Sequence, residues 1–235
     1  MTTAAAVRFP PIDVIRAAAI VITARGYYQP LSRQWEEAVP TVMDVETLLY
    51  RRAHHERGDA ARFARAAKQL PATLPAAVLE WSRSGTADQG DYRASLARAA
   101  RTDHITERDI PLLCSAVSGW QREQRRAARA AQAATDAEHS RHQGTKGERI
   151  TRTVTVAAVI SQSPRTYGYR TQERRLVKLR DDTGAIYVWP AQPKSVTTLP
   201  QEGARIDITG TVTKHDTYRN TAQTYLGNCQ WKPAA

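Results

Sequence analysis

The sequence contains little cysteine. Among its 235 residues only Cys114 and Cys229 occur, and neither belongs to a C-x-x-C pair. This count excludes a disulfide framework and argues against a cysteine-based zinc site. Two histidine pairs, His54–His55 and His139–His142, have no further metal ligands near them in the sequence, so we interpret them as solvated surface residues. We therefore expect no metal and no cofactor.

Long apolar segments are also missing. The most apolar stretch, residues 17–24, is far shorter than the ~18–20 residues of a membrane-spanning helix, and Arg16 and Arg25 flank it. The amino terminus lacks the charged-then-apolar layout of a secretory signal. We therefore expect a cytoplasmic protein with no membrane partner.

The usual signatures of catalysis are absent as well. The sequence has no glycine-rich phosphate-binding loop, no nucleophile elbow and no set of metal ligands. The adjacent Asp181 and Asp182 form an acidic pair, but Asp-Asp-Thr-Gly is typical of a turn between strands. We predict that the protein is not an enzyme.

Positive charge, in contrast, is abundant and unevenly distributed. The chain has 34 Lys and Arg against 23 Asp and Glu, a formal net charge of +11. Residues 141–235 carry 15 basic and 7 acidic side chains, whereas residues 1–140 carry 19 and 16. Such an excess of positive charge attracts polyanions, and nucleic acid is the commonest polyanion of the cytoplasm. A basic protein that is merely soluble is the alternative, and charge alone does not choose between the two.

The first 142 residues have the pattern of an α-helical domain. Apolar positions recur at intervals of three or four residues between helix-start signals, such as Pro11, and helix-stop signals, such as Gly26. Six helices are predicted, beginning near Pro11, Thr41, Asp59, Pro75, Asp91 and Thr106. From Gln121 to His142 there is no large apolar residue, so we interpret this part as an exposed extension and connector. Its arginines are solvated or, alternatively, contact phosphates.

From Gly144 onward the sequence has alternating segments rich in β-branched residues, separated by Gly, Pro and an Asp-x-x-Gly turn motif. The second domain is therefore placed at residues 143–235. Five strands are predicted, over residues 149–160, 172–180, 185–189, 204–215 and 222–231. A small barrel of the oligonucleotide-binding (OB) type accommodates five strands, an irregular link over 191–203 and a bend at Gly210. An SH3-like barrel is the alternative. The predicted fold class is α+β, an N-terminal α-helical bundle followed by a C-terminal five-stranded OB-type β-barrel.

A specific register follows for one hairpin of this barrel if Asp-Asp-Thr-Gly forms its turn. Arg180 then pairs with Ala185. Aliphatic side chains lie on one face and Lys178, Tyr187 and Trp189 on the other. A face of this composition suits a ligand better than it suits folding alone. The alternative is that Trp189 packs beneath the following loop.

Binding of a single strand requires flat aromatic faces for unstacked bases and cations along the phosphate path. The predicted stacking residues are aromatic side chains of the first loop, the third strand and the last hairpin: Tyr167, Tyr169, Tyr187, Trp189 and Tyr218. The predicted phosphate contacts are basic side chains of the barrel region: Arg165, Arg170, Arg174, Lys178, Lys214 and Arg219. His215 either stacks or is a hydrogen-bonded structural residue, and Lys214 alternatively lies at the barrel rim. No base-recognition code is visible, so weak or no sequence preference is expected.

The barrel region contains three further motifs: Gly144-x-x-Gly147-x-Arg149; Asp182-x-Gly184 followed by Trp189; and Gly210-Thr211-Val212-x-Lys214-His215-x-x-Tyr218 with Gln223-Thr224-x-Leu226. Over about residues 143–231 they resemble the OB-fold module of proteins encoded by phages and plasmids of high-GC Gram-positive bacteria. The Ser-Leu-Ala stretch at residues 95–97 resembles the helical segment that precedes the barrel in such proteins. Where the family has Gly after the Tyr-Arg pair, this chain has Asn220, which also tolerates a positive φ.

The resemblance implies a nucleic-acid-binding protein that binds single-stranded DNA without sequence specificity in phage or mobile-element DNA metabolism. It would act in the host cytoplasm if phage-encoded. The expected partner is single-stranded nucleic acid, with DNA favoured over RNA. Two alternatives stay open: an RNA-binding OB module, and a protein–protein adaptor of a replication or virion assembly. The helical domain is a candidate for binding a protein partner or for self-association.

Overall fold

The computed structural model describes residues 8–28, 38–54, 56–167, 170–191 and 199–234, except for the side chains of residues 165, 167, 170 and 171. The chain divides into two compact units, Met1–Arg126 and Ala127–Ala235. The first unit is helical, and the second contains the end of the last helix together with a closed β-barrel. None of the helices in this described part has the length and apolar content that crossing a bilayer requires.

The helical unit is built around its first helix. Within the described residues the α-helices are α1 Pro11–Arg25, α2 Thr41–Leu49, α3 Asp59–Gln69, α4 Leu74–Arg83, α5 Asp91–Arg101 and α6 Ile110–His139. Helix α1 is apolar on most of its circumference and is buried along most of its length, as expected for a central helix. Its last residue, Arg25, forms ion pairs with the buried carboxylates of Asp44 and Asp59, which ties α1 to α2 and α3.

The barrel has the strand number predicted from the sequence. Its strands are β1 Arg149–Tyr167, β2 Arg170–Asp181, β3 Ile186–Ala191, β4 Arg205–Tyr218 and β5 Thr221–Pro233. They close in the order β1-β2-β3-β5-β4, with β1 pairing with β4 through its first half and with β2 through its second. A short parallel pairing of β3 with β5 completes the circuit. This is an OB-type barrel, so the predicted fold class is confirmed.

Alternation of side chains along the strands fills the barrel interior. The buried interior residues are Ile150, Val154, Val156, Val177, Leu179, Tyr187, Trp189, Ile206, Ile208, Val212 and Leu226. Gly210 lies between Ile208 and Val212, at an irregularity in the β4–β5 register. A Cβ atom at this position would come within 2.9 Å of Cys229 Sγ and 3.2 Å of the Leu226 Cβ, so the strands approach closely only because Gly210 has no side chain.

Two hairpins extend from the barrel. β3 pairs with β2 over Arg175–Arg180, and the rest of the β1–β2 hairpin continues beyond this pairing as a two-stranded arm. Much of the loop predicted over residues 161–171 is therefore strand. In the β4–β5 hairpin the turn is formed by Arg219 and Asn220 alone, with φ values of 49° and 62°. A two-residue turn with positive φ at both positions matches the twist of its strands.

The last turns of α6 pack on the barrel, which corrects the interpretation of residues 121–142 as an exposed connector. Residues 122–135 are exposed, but Asp136 and Ser140 are buried. The Ser140 hydroxyl donates to the Ala222 carbonyl at 2.6 Å and accepts from the Ile186 N–H at 3.0 Å, so it joins β5 to β3. The barrel unit accordingly begins at Ala127, ahead of the boundary at residue 143 where the sequence pattern changes.

Candidate functional site

The β2–β3 turn is one residue longer than the sequence pattern predicts. The Asp181 N–H donates to the Ala185 carbonyl at 3.2 Å, and Arg180 pairs with Ile186. The Asp181 carboxylate accepts hydrogen bonds from the N–H groups of Thr183 (2.9 Å) and Ala185 (3.0 Å), which stabilises the longer turn. The predicted pairing of Arg180 with Ala185 is wrong. A one-residue shift exchanges the two faces of β3 relative to β2.

This shift places Tyr187 and Trp189 inside the barrel. Tyr187 is 0% exposed and Trp189 is 3% exposed, and they lie in register with Leu179 and Val177. The Tyr187 hydroxyl donates to Asp181 at 2.9 Å; burial and this hydrogen bond raise the pKa of Tyr187 well above its usual range. The prediction that Tyr187 and Trp189 stack on bases is therefore wrong, because both rings belong to the barrel core.

A groove of about 620 Å³ lies on the outer face of the barrel unit. One wall comes from the β1–β2 hairpin, the other from the β4–β5 hairpin, and Val188 of β3 and the end of α6 complete it. The groove is lined by Arg129, Ala133, Ile160, Gln162, Leu176, Lys178, Val188, Tyr218, Arg219, Thr221, Gln223 and Tyr225. The lining thus combines apolar side chains, two tyrosines and three cations.

The β4–β5 wall carries the two tyrosines, each with a cation beside its ring. Tyr218 is 58% exposed, and the Arg219 guanidinium carbon lies 5.3 Å from its ring centroid. The Lys214 ammonium lies 4.1 Å from the ring centroid of Tyr225, its partner across the hairpin. The alternative position of Lys214, at the barrel rim, followed from its alternation with Val212. A register irregularity between these two residues instead puts Lys214 on the exposed side with Tyr225.

The cations of the groove differ in how far other groups neutralise them. Lys178 donates to the buried carboxylate of Asp136 at 2.8 Å, and Lys214 donates to Asp216 at 2.6 Å. Arg129 and Arg219 have no acidic partner among the described residues. These two arginines are therefore the groove cations with the most charge to offer an anion.

Comparison with known proteins adds nothing to this geometry. No protein-family model, curated protein or solved structure matches this chain. In the described part of the chain, no three His, Cys, Asp or Glu side chains come together as a metal site would require. The function is therefore inferred from the groove's own side chains.

The remaining predicted site residues fall into two groups. Arg174 is half-buried on β2, and His215 is exposed on β4, where its Nε2 lies 3.1 Å from the Gly144 carbonyl and its ring 4.7 Å from that of His142. The other group lies outside the described residues, either as a side chain or entirely: Arg165, Tyr167, Tyr169 and Arg170. Of the twelve predicted residues, the groove itself brings together Lys178, Tyr218 and Arg219, with Lys214 beside it.

Sequence reasoning missed several groove residues. Tyr225 and Gln223 alternate with the buried Leu226 and Thr224, so alternation along β5 was a usable signal for both. Arg129 had no comparable signal. Its place at the groove depends on how the end of α6 packs on the barrel, and no local pattern specifies that contact.

Proposed function

We propose that this protein binds single-stranded nucleic acid, with DNA favoured over RNA, in the groove between the two hairpins of its barrel. The observation that carries the proposal is the pair of cation-flanked tyrosines on one wall of a groove that also holds Arg129 and Lys178. Aromatic faces and cations along a groove are the two elements that single-strand binding uses.

The tyrosines suit unstacked bases. An exposed ring such as that of Tyr218 offers a flat face in water, and stacking a base on such a face is worth about 1–3 kcal/mol. In a duplex the base faces are already stacked on one another, so a protein ring cannot reach them. The two rings therefore favour a single strand over a duplex.

The charges suit a phosphate backbone. Each phosphate that a cation neutralises on a single strand contributes about 0.7 to the slope of log affinity against log salt concentration. Arg129 and Arg219 together predict a slope of at least about 1.4 in magnitude. The net charge of +11 supports the same conclusion at long range, because it attracts any polyanion.

The biological setting rests on the motifs of the barrel. Their resemblance to OB modules of phage and plasmid proteins favours DNA metabolism of a mobile element. It is also the reason for placing DNA ahead of RNA as the ligand. A competition between DNA and RNA strands of the same sequence, with the labelled DNA complex as probe, tests this preference.

Fluorescence anisotropy with labelled oligonucleotides tests the proposal as a whole. Replacement of Tyr218 or Tyr225 by alanine is expected to weaken single-strand binding about tenfold each, the loss of one stacking contact. Tyr92→Ala is the matched control, because Tyr92 is an exposed tyrosine of the helical unit. Absence of binding to any single strand at low salt, or equal losses in all three variants, would contradict the proposal.

A protein–protein adaptor is the second candidate, and one observation favours it. Ile160 is 47% exposed at the groove, and with Leu176 and Tyr218 it forms an apolar surface that an extended peptide could cover. If Ile160→Ser abolishes capture of a protein partner while oligonucleotide affinity stays unchanged, the adaptor function is favoured over the nucleic-acid function.

A further inference from the structure

The β4–β5 wall of the groove contains a row of polar side chains from β5. Thr221, Gln223 and Tyr225 all line the groove, whereas the alternate residue Leu226 points into the barrel core. Two members of the row, Thr221 and Gln223, are nevertheless more than nine-tenths buried. Polar side chains at this degree of burial are normally held by hydrogen bonds from their own protein.

Gln223 differs in this respect. The residue is 7% exposed, and among the described residues no hydrogen bond reaches its carboxamide. The carboxamide still reaches solvent, because the residue lines the groove and its polar atoms are not fully shielded. The adjacent buried residue Thr224 differs, because its hydroxyl accepts the Gln143 N–H at 2.9 Å.

The acidic residue nearest in register does not satisfy it either. Asp216 pairs with Gln223 across the hairpin, but its carboxylate accepts hydrogen bonds from Lys214 at 2.6 Å and from the Thr217 N–H at 2.9 Å. Among the described residues, Gln223 therefore offers an unpaired donor and an unpaired acceptor to the groove. A ligand of matching pattern would pair both groups, whereas a mismatched ligand would cut them off from water without a partner, which is costly.

Resting on the proposed function, we propose that the Gln223 carboxamide recognises the Hoogsteen edge of one base in the groove and that the preferred base is adenine. On this edge adenine alone of the four bases places a donor, the N6 amino group, beside an acceptor, N7, and a carboxamide binds that pair with its oxygen and its N–H. Tyr225 lies two residues along the same face of β5, at roughly 7 Å, so a base stacked on its ring has an edge within reach of Gln223.

A preference for adenine is stronger than the weak or absent base preference expected from the sequence. The test uses the full-length protein and fluorescently labelled thymidine strands on the order of 15 nucleotides, long enough for one OB barrel. One strand is all thymidine, and three others carry a single central adenosine, cytidine or guanosine. Wild-type protein is expected to bind the adenosine strand about tenfold more tightly than the all-thymidine strand.

Two variants connect this preference to Gln223. Gln223→Leu is expected to abolish the adenosine preference, so that the adenosine strand binds no more tightly than the all-thymidine strand, while stacking and phosphate contacts still hold both strands. Gln230→Leu is the matched control, an exposed glutamine of the same strand that does not line the groove, and it should keep the preference. Persistence of the preference in Gln223→Leu would overturn the proposal.

A change in the ligand instead of the protein avoids any dependence on the folding of the variant. Replacing the single adenosine by 7-deazaadenosine removes the N7 acceptor, and wild-type protein should then bind this strand no better than thymidine. Undiminished binding of the 7-deaza strand, equal binding of all four strands, or preference for another base would each overturn the assignment while the proposed function stands. If no strand binds, the proposed function itself fails.

Discussion

Tyr187 and Tyr225 are the same residue type on neighbouring strands of the barrel, yet their environments are opposite. Tyr187 is fully buried and donates its hydroxyl to Asp181, whereas Tyr225 lines the groove beneath the Lys214 ammonium. Which tyrosine serves the fold and which is available to a ligand follows from strand register alone.

Replacing Tyr187 by phenylalanine separates these two roles. The variant loses the hydrogen bond to a carboxylate, and its free energy of unfolding is expected to fall by about 1.5 kcal/mol. Its oligonucleotide affinity is expected to stay unchanged, because the ring does not reach the groove. Urea unfolding and anisotropy measure the two quantities. Tyr218→Ala is the converse control, with weaker binding and a stability change within about 0.5 kcal/mol.

The contrary result for Tyr187→Phe is a clear loss of oligonucleotide affinity with unchanged stability. It would mean that Tyr187 contacts the ligand and that the register of β3 differs from the one described.

The error in the predicted register has a physical cause. On β2, Val177 and Leu179 alternate with charged or exposed positions, and both were assigned correctly to the interior. β3 offers no such alternation, since Ile186 and Val188 on its outer face are as buried as Tyr187 and Trp189 on its inner face. With apolar residues on both faces, only the length of the turn fixes the register, and hydrogen bonds of Asp181 determine that length.

At the scale of elements, the end of α6 is the part of the barrel unit that hydrophobic patterning could not locate. It is held by polar contacts: Asp136 forms ion pairs of 2.8 Å with both Lys178 and Arg180 of β2, and Gln132 also donates to it. A segment of Ala, Arg, Gln and Glu resembles a solvated helix in sequence. Gln132, Asp136 and Ser140 recur at intervals of four residues on one side of this segment, but small polar residues at this spacing do not by themselves indicate a buried face.

Acid titration of the protein tests this polar attachment. Burial opposes ionisation of Asp136, but hydrogen bonds from Lys178 and Gln132 and the charges of Lys178 and Arg180 outweigh it and hold its pKa below the ordinary 3.8. A carboxyl group with a lowered folded-state pKa stabilises the fold above its unfolded-state pKa, and this stabilisation is lost as the pH falls through the folded-state value.

Asp136→Asn is therefore expected to lower the free energy of unfolding at pH 7 by about 1–3 kcal/mol, less than a fully buried pair would lose, because both cations keep side-chain exposures of 27%. The difference from wild type should shrink as the pH falls below about 4. Urea unfolding at a series of pH values measures it. Glu138→Gln, an exposed neighbour on the same helix, should show no such dependence. A stability difference between wild type and the Asp136→Asn variant that is constant with pH would refute the attachment.

At the scale of the whole molecule, the fold was more accessible to prediction than the groove. Strand number, the glycine at position 210 and the positive φ of Asn220 are local features, and each is specified within a few residues. The groove gathers residues from α6 and from all five strands. β1 contributes only residues of its second half, and β4 contributes only its last residue, Tyr218. Its composition therefore depends on barrel closure and on the packing of α6, neither of which a local pattern contains.

Photo-crosslinking tests the central claim most directly, because it reports where a strand lies on the protein. A single-stranded oligonucleotide containing 5-iodouracil is bound, irradiated and digested, and the crosslinked residues are identified by mass spectrometry. Crosslinks at Tyr218 or Tyr225 are the predicted result, since both rings line the groove. Crosslinks confined to the helical unit, or to Trp231 on β5 outside the groove, would contradict it.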